Sequence, residues 1–156
     1  MVAGLNDEAK ILRELVSTST RLWSAPFGFP LKDVYITDTY GYSRQTGSYE
    51  IAHKGTDFRA PTGTEVMSIN DGRVVLARSF RNYGKTVVID HGEGVLSLYM
   101  HLSEFRVMEE EMVRKGQVIG LSGSTGYATG PHLHLSVKID SYSIDPMVFL
   151  SFFDTL

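Results

Sequence analysis

Four of the five histidines in the chain lie where metal binding or acid–base chemistry would use them. His53 and Asp57 are four residues apart, with Gly55 between them. An even separation places two side chains on one face of a strand, and a glycine permits the backbone to bend between them. Both side chains could therefore reach one ion.

A second pair of histidines forms a His-x-His pattern. His132 and His134 alternate with Leu133 and Leu135, so an extended strand would present both imidazoles on one face and both leucines on the other. Two imidazole nitrogens and one carboxylate oxygen are a normal ligand set for a catalytic zinc, with a fourth position left for water. These residues therefore predict a reactive metal site in which His101, at the end of another predicted strand, also takes part.

The remaining histidine, His91, lies in a glycine-rich turn, where hydrogen bonding within a loop is the expected role.

Composition narrows the class of protein. A chain of 156 residues with 42% hydrophobic and 21% charged residues suits one globular domain. The formal charge of -3 argues against a nucleic-acid partner bound by phosphate neutralisation. The absence of cysteine excludes disulfides, thiolate zinc ligands and a cysteine nucleophile, which leaves histidine and carboxylate as metal ligands.

The elements that must position these residues fall into two parts. Apolar residues from Asn6 to about Trp23 recur at helical spacing, which predicts one amphipathic helix with Asn6 as its N-cap. After residue 40, 13 of the 15 glycines punctuate short runs rich in valine, isoleucine and tyrosine, which is typical of a β domain. We expect a helical segment over 1–25 and a mainly β, antiparallel domain over 26–156.

Seven strands are predicted in that domain: Val34 to Thr37, Thr64 to Ile69, Arg73 to Leu76, Thr86 to Asp90, Val95 to His101, Gln117 to Leu121 and Leu133 to Ile139. The segment 103–115 is predicted to be a hairpin loop, and Pro146 to Phe153 a short closing helix.

Three segments resemble a known family: His53-Lys54-Gly55-Thr56-Asp57, Tyr99-Met100-His101-Leu102-Ser103 and the glycine loop from Gly123 to Gly130 followed by Pro131-His132-Leu133-His134. Their order and spacing resemble those of the LytM/lysostaphin-type zinc metallopeptidases, peptidase family M23. The resemblance covers about residues 36 to 150 and leaves the N-terminal helix outside it.

This resemblance implies a groove-bearing antiparallel β fold that holds one Zn²⁺ per chain through His53, Asp57 and His134. His101 and His132 then match the catalytic pair of the family. The implied activity is a zinc endopeptidase that hydrolyses peptidoglycan peptides in stems or cross-links.

Substrate contacts and location follow from the same expectation. Arg44, Tyr42 and Tyr127 are candidate substrate-binding residues, since flat amphipathic rings suit contact with peptide and sugar. A cell-wall substrate implies a periplasmic or extracellular location, whereas the N-terminus carries no secretory signal pattern. A membrane anchor or a coiled-coil partner outside this chain is compatible with these features, and the sequence leaves the oligomeric state open.

Alternative readings are a catalytically inactive regulator or binder of cell-wall hydrolases with the same fold, a wall-binding module, and a zinc enzyme that cuts a different amide. One departure from the family concerns the residue two places after His134. The family often carries glutamate there, and this chain has Ser136, so we expect a carboxylate that could orient a ligand to be missing.

Overall fold

The structure is a computed structural model that describes residues 4–41, 43–46 and 49–154, with side chains described over 4–41 and 53–153. Two helices lie at its ends, α1 (Leu5–Arg13) and α2 (Pro146–Asp154). Twelve strands lie between them: β1 (Ile36–Asp38), β2 (Ser43–Thr46), β3 (Tyr49–Ala52), β4 (Thr56–Arg59), β5 (Glu65–Met67), β6 (Gly72–Phe80), β7 (Gly84–Gly92), β8 (Val95–Phe105), β9 (Met112–Val113), β10 (Val118–Ser122), β11 (His132–Ile139) and β12 (Tyr142–Ile144).

Ten of these strands form one antiparallel sheet. Its main order is β1-β4-β11-β8-β7-β6-β9, while β10 joins β8 to β5 and β12 pairs with β11. Strands β2 and β3 form a separate hairpin. The predicted fold class, a mainly β antiparallel domain preceded by an α-helix, is confirmed.

The central strands are buried on both faces. Val87, Ile89 and Tyr99 belong to the larger core, against which Trp23, Phe27 and α2 pack. The alternating residues Val88, Leu98 and Met100 point to the opposite face, which Leu12 of α1 covers together with Leu76 and Phe80. This double burial explains the successive apolar residues Val87-Val88-Ile89 in β7 and Leu98-Tyr99-Met100 in β8.

The N-terminal helix is shorter than predicted. It begins after Gly4 rather than at an Asn6 cap, and it ends at Arg13 rather than near Trp23. The reason lies in Ser17 and Thr18, because the Ser17 hydroxyl and the Thr18 amide donate to the Asp90 carboxylate at 2.6 and 2.9 Å. Side chains that compete for hydrogen bonds in this way favour non-helical backbone. The boundary between 1–25 and 26–156 stays a prediction.

The ends of the strands are set more by hydrogen bonding between strands than by the residue composition of each segment. Strands β6, β7 and β8 extend beyond their predicted ends, whereas the strand predicted from Val34 is shifted to β1. Strand β4 was missed because its residues are mostly polar or charged, and β9 and β12 because they are very short. The segment 103–115, predicted to be a hairpin loop, contains the end of β8 and all of β9, whereas the closing helix agrees with its prediction. In the described ranges, no helix combines the length and apolar character that a bilayer crossing requires.

His91 hydrogen-bonds as predicted, but it lies within β7 and is fully buried rather than in a loop. Its Nδ1–H donates to the Asp71 carbonyl at 2.8 Å, and its Nε2 lies 2.8 Å from the Ser97 hydroxyl. Burial lowers the pKa of His91 to about 4, although the Asp71 carbonyl opposes this shift. The folded protein therefore holds a neutral imidazole in its core.

This burial predicts a pH-dependent stability. Because the folded pKa lies below the unfolded value, the stabilisation is full above about pH 6.5 and falls as pH drops towards 4, by on the order of 3 kcal/mol in total. We expect His91→Gln to lack this component, so that its unfolding free energy falls less than that of the wild type between pH 7 and pH 4. Urea unfolding at several pH values measures both slopes; parallel slopes would contradict the assignment.

Candidate metal and catalytic centre

His53 and Asp57 lie on two different segments rather than on one strand. His53 follows the end of β3, Asp57 lies in β4, and the connection between them passes through Gly55. A Cβ at Gly55 would lie 2.4 Å from His134 Nε2 and 2.6 Å from the Leu135 carbonyl oxygen. The same-strand prediction is therefore wrong, and the glycine is required because this connection passes directly against His134.

Asp57 faces His134 across the antiparallel pair of β4 and β11. His134 Nδ1 lies 2.9 Å from Asp57 Oδ1, and His53 Nε2 lies 3.2 Å from each of these two atoms. The edges of a tetrahedron of zinc ligands with bonds near 2.0–2.1 Å are roughly 3.3 Å long. The three side chains are therefore preorganised as one face of a metal site.

Outer hydrogen bonds determine which ring nitrogens point inward as acceptors. His53 Nδ1–H donates to the Thr39 carbonyl at 2.9 Å. The Ser136 hydroxyl donates to the Lys54 carbonyl at 2.9 Å, so His134 Nε2–H is the donor in its 2.8 Å contact with Ser136. In the neutral rings, two nitrogen lone pairs and a carboxylate oxygen thus converge, which a cation stabilises.

The protonation states agree with this ligand set. Burial lowers the pKa of His134, with the Asp57 carboxylate opposing that shift. Burial raises the pKa of Asp57, but His134 and His53, which donate to it when protonated, hold that pKa well below its ordinary value. Neutral imidazoles with an ionised carboxylate are the forms that bind divalent metals.

Ser136 is the residue whose importance the sequence reasoning missed. Strand alternation places it on the face of His134, where the sequence predicts only that a carboxylate able to orient a ligand is missing. The structure shows that the buried hydroxyl fixes the tautomer of His134 and ties it to the connection between His53 and Asp57. Its position in the pattern, two residues after His134, was the available signal.

His101 lies within β8 rather than at the end of a strand. It has a φ of 64°, which is rare for a residue other than glycine. The β7–β8 register jumps from Val87↔Tyr99 to Lys85↔Leu102, so β8 carries an extra residue here. Such a bulge turns a side chain away from the regular alternation. At His101 it places the imidazole beside His132.

His101 and His132, which are not in the cluster of His53, Asp57 and His134, form a pair. The ring centroids of His101 and His132 are 4.8 Å apart, and His132 Nε2 lies 3.8 Å from Asp57 Oδ2. His101 Nδ1–H donates to the Thr125 carbonyl at 2.7 Å, and His132 Nδ1–H to the Gly130 carbonyl at 2.9 Å. Burial lowers the pKa of His101 to about 4. Both rings, when neutral, therefore keep Nε2 as the basic nitrogen.

Of the three candidate substrate-binding side chains, the structure describes only that of Tyr127. Tyr127 is 54% exposed, on the loop that contacts His101. Tyr42 lies outside the described residues, and the side chain of Arg44, in β2, is not among those described.

The sequence profile of Peptidase family M23 matches residues 51–146, which is more than half of the chain. The chain belongs to peptidase family M23. The described site residues from His53 to His134 all lie within the matched range.

The relatives of this M23 chain include two peptidoglycan DD-endopeptidases and lysostaphin. Peptidoglycan DD-endopeptidase ShyA of Vibrio cholerae is 44% identical over 95 residues, 61% of this chain and 22% of the relative. ShyB of the same organism is 36% identical over 124 residues, 76% and 29% of the two chains. Lysostaphin of Staphylococcus staphylolyticus is 41% identical over 123 residues, 71% and 25%. The chain thus spans less than a third of the length of these curated relatives.

Solved M23 structures have the same fold. A zinc-containing peptidase from Vibrio cholerae superposes with a TM-score of 0.76 and 32% identity, over 80% of this chain and 40% of the other. The catalytic domain of lysostaphin from Staphylococcus simulans gives a TM-score of 0.70 and 35% identity, over 76% and 92% of the two chains.

The close passage at Gly55 generates a prediction. We expect Gly55→Ala to lower the affinity for added Zn²⁺ and to destabilise the fold, because the new Cβ must displace the His134 ring and the Leu135 backbone. Isothermal titration with Zn²⁺ and thermal unfolding measure both effects. The control is Gly130→Ala, where a Cβ would meet no atom of the described residues within 4 Å. Equal Zn²⁺ affinity and equal thermal stability of the two variants would contradict the geometric argument.

The contact between Ser136 and His134 generates a second prediction about metal binding. Ser136→Ala removes the acceptor for His134 Nε2–H, and loss of such outer partners typically weakens metal binding about 10- to 100-fold. Ser136→Thr keeps a hydroxyl and should retain most of the affinity. Competition with a chromophoric chelator measures the Zn²⁺ dissociation constant; an unchanged constant in Ser136→Ala would show that the hydroxyl does not orient the ligand.

Proposed function

We propose that this chain is a zinc-dependent endopeptidase that hydrolyses peptide bonds in the stem peptides or cross-links of peptidoglycan. The observation that carries the proposal is the convergence of three metal-binding side chains with two further imidazoles at one edge of β11. The names of the relatives support the substrate class, since they include DD-endopeptidases and glycyl-glycine endopeptidases.

In this proposal His53, Asp57 and His134 hold one Zn²⁺ per chain. The fit rests on the donor set: two imidazoles and one carboxylate whose facing atoms are 2.9–3.2 Å apart. A bound zinc ion supplies Lewis acidity, which makes water a stronger acid and polarises a carbonyl group. The chain itself supplies the orientation of these ligands through Thr39 and Ser136.

His101 and His132 manage the protons. Peptide hydrolysis requires that one proton leaves the attacking water and that one reaches the amine that departs. A neutral imidazole whose Nδ1–H is held by a carbonyl can accept a proton at Nε2 and then donate it as imidazolium. The low pKa of His101 keeps this ring neutral at physiological pH. One ring accepts the proton of the water at Nε2. The other takes part as imidazolium, so that its Nε2–H stabilises the oxyanion and passes to the departing amine, and the proton held by the first ring replaces the one given up.

The substrate is held outside this pair. Tyr127 is exposed beside the loop that contacts His101, and with Tyr42 and Arg44 it forms our proposed contact set for peptide and sugar. Peptidoglycan lies outside the cytoplasm, so the proposed place of action is the periplasm or the cell wall.

The competing function is that of an inactive regulator or binder with the same fold. Such a protein has no use for a complete ligand set beside a histidine pair, because binding requires no activated water. His53, Asp57, His101, His132 and His134 are all present and lie together, which favours catalysis.

The histidine pair provides the test. We expect His101→Ala and His132→Ala each to retain about one Zn²⁺ per chain and to lose at least about 100-fold in turnover, which is the usual contribution of acid–base groups. Zinc content is measured by elemental analysis, and turnover by mass spectrometry of fragments released from purified sacculi and defined muropeptides. His53→Ala is the matched control, which should lose zinc and activity together.

Fragment masses also identify the bond. A new amine within the stem or cross-bridge marks an endopeptidase, whereas separation of sugar from stem marks a different amidase. Full activity after complete removal of zinc would overturn the metal assignment, and lack of cleavage by zinc-loaded wild type would favour the regulator.

A further inference from the structure

The N-terminal helix carries a buried carboxylate that the proposed chemistry does not use. Glu8 of α1 is 7% exposed and lies outside the range that matches the family. Its oxygens accept hydrogen bonds from the Asn82 amide at 2.9 Å, the Asn82 side-chain nitrogen at 3.1 Å and the Tyr83 amide at 3.3 Å. The carboxylate thus holds the turn between β6 and β7 by both backbone and side chain.

The same turn holds the backbone of the strained histidine. The His101 amide donates to the Tyr83 carbonyl at 2.9 Å, and the Tyr127 amide donates to the Asn82 carbonyl at 2.8 Å. The two residues whose amides donate to Glu8 therefore offer their carbonyls to the site. In each case a single residue lies between the carboxylate and the contact with the site.

The start of β7, directly after this turn, packs against the loop that orients the ring of His101. The Lys85 amide donates to Thr125 Oγ1 at 3.0 Å, and a Cβ at Gly84 would lie 2.4 Å from the Thr125 carbonyl oxygen. That carbonyl accepts the Nδ1–H of His101 at 2.7 Å. The turn thus holds the backbone of His101, and the loop that packs directly after the turn holds its ring.

Strain makes this support necessary. A histidine with a φ of 64° is in an unfavourable conformation, which persists where surrounding contacts over-determine it. Glu8 is presented rigidly, because Leu12 one helical turn later is buried against the outer face of the sheet with Leu76 and Phe80.

We propose that Glu8 is a positioning residue for His101, and that the N-terminal helix thereby completes the catalytic geometry of the M23 domain. This inference rests on the proposed function of His101. It assigns to the helix a role in turnover rather than in metal binding, because Glu8 has no contact with the ligands His53, Asp57 and His134 among the hydrogen bonds of the described residues.

The test uses variants of the full chain. Glu8→Ala removes both acceptor oxygens, and we expect kcat on defined muropeptides to fall about 10- to 100-fold, as for a small misplacement of a catalytic group. Glu8→Gln keeps one oxygen and should lose less. KM should change little, and zinc content should remain near that of the wild type. Glu14→Gln, an exposed change directly after the same helix, should behave as wild type.

A second readout does not depend on activity. Amide hydrogen exchange of His101 and Tyr127, measured by NMR, should accelerate in Glu8→Ala, because their acceptors lie on the released turn. Leu12→Ala is the stability control, since it weakens the packing of α1 and leaves the carboxylate in place. If Glu8 only stabilised the fold, Glu8→Ala and Leu12→Ala would each lower kcat in proportion to the unfolding free energy that the variant loses.

Three results would overturn the inference: unchanged kcat in Glu8→Ala, unchanged exchange at His101, or an equal fall of kcat in Leu12→Ala at matched stability. Failure of the proposed function is a separate result. In that case zinc-loaded wild type does not cleave the substrate, while the exchange experiment still reports whether Glu8 holds His101.

Discussion

The antiparallel register of β4 and β11 is the constraint on which the site depends. It sets Asp57 opposite His134, with their ligand atoms 2.9 Å apart. A slip of one residue would turn the histidines of β11 into the core and the buried leucines outward. Leu133 and Leu135 prevent this slip, because both are fully buried on the opposite face. The hydrophobic core therefore specifies how the candidate metal ligands Asp57 and His134 face each other.

Around this register, backbone carbonyls select the tautomer of most rings in the site. Thr39, Thr125 and Gly130 each accept an Nδ1–H from a different histidine, whereas the Ser136 hydroxyl accepts the Nε2–H of His134. The difference matters, since His134 presents Nδ1 to the cluster and His53 presents Nε2. A carbonyl cannot donate, so these contacts specify proton positions as well as ring orientations. The site is consequently organised before any ligand arrives.

The sheet carries a second core on the face away from the larger one. Alternate residues of β7 and β8 point to that face, and α1 covers it. The N-terminal segment is thus an integral layer of the described structure. It is also joined to the sheet through the Asp90 carboxylate, which accepts from the Ser17 hydroxyl and the Thr18 amide. A carboxylate in such a layer can influence a histidine on a neighbouring strand without contact with the substrate.

Sequence alone determined the chemistry that is available. Residue type and spacing predicted a metal site at His53, Asp57 and the His-x-His strand, and the resemblance to the family implied which of these side chains hold the ion. Alternation along β11 identified the shared face of His132 and His134, because residue type and alternation depend on local order in the chain. It also predicted the β domain and the presence of two helices.

Tertiary structure decided how those groups are used. The end of α1 at Arg13, the bulge at His101, the partner of Ser136 and the anchoring of Asn82 by Glu8 each depend on segments that are distant in sequence. Local propensity cannot encode such contacts, because their energies appear only when the register and packing of the sheet bring the partners within hydrogen-bonding distance.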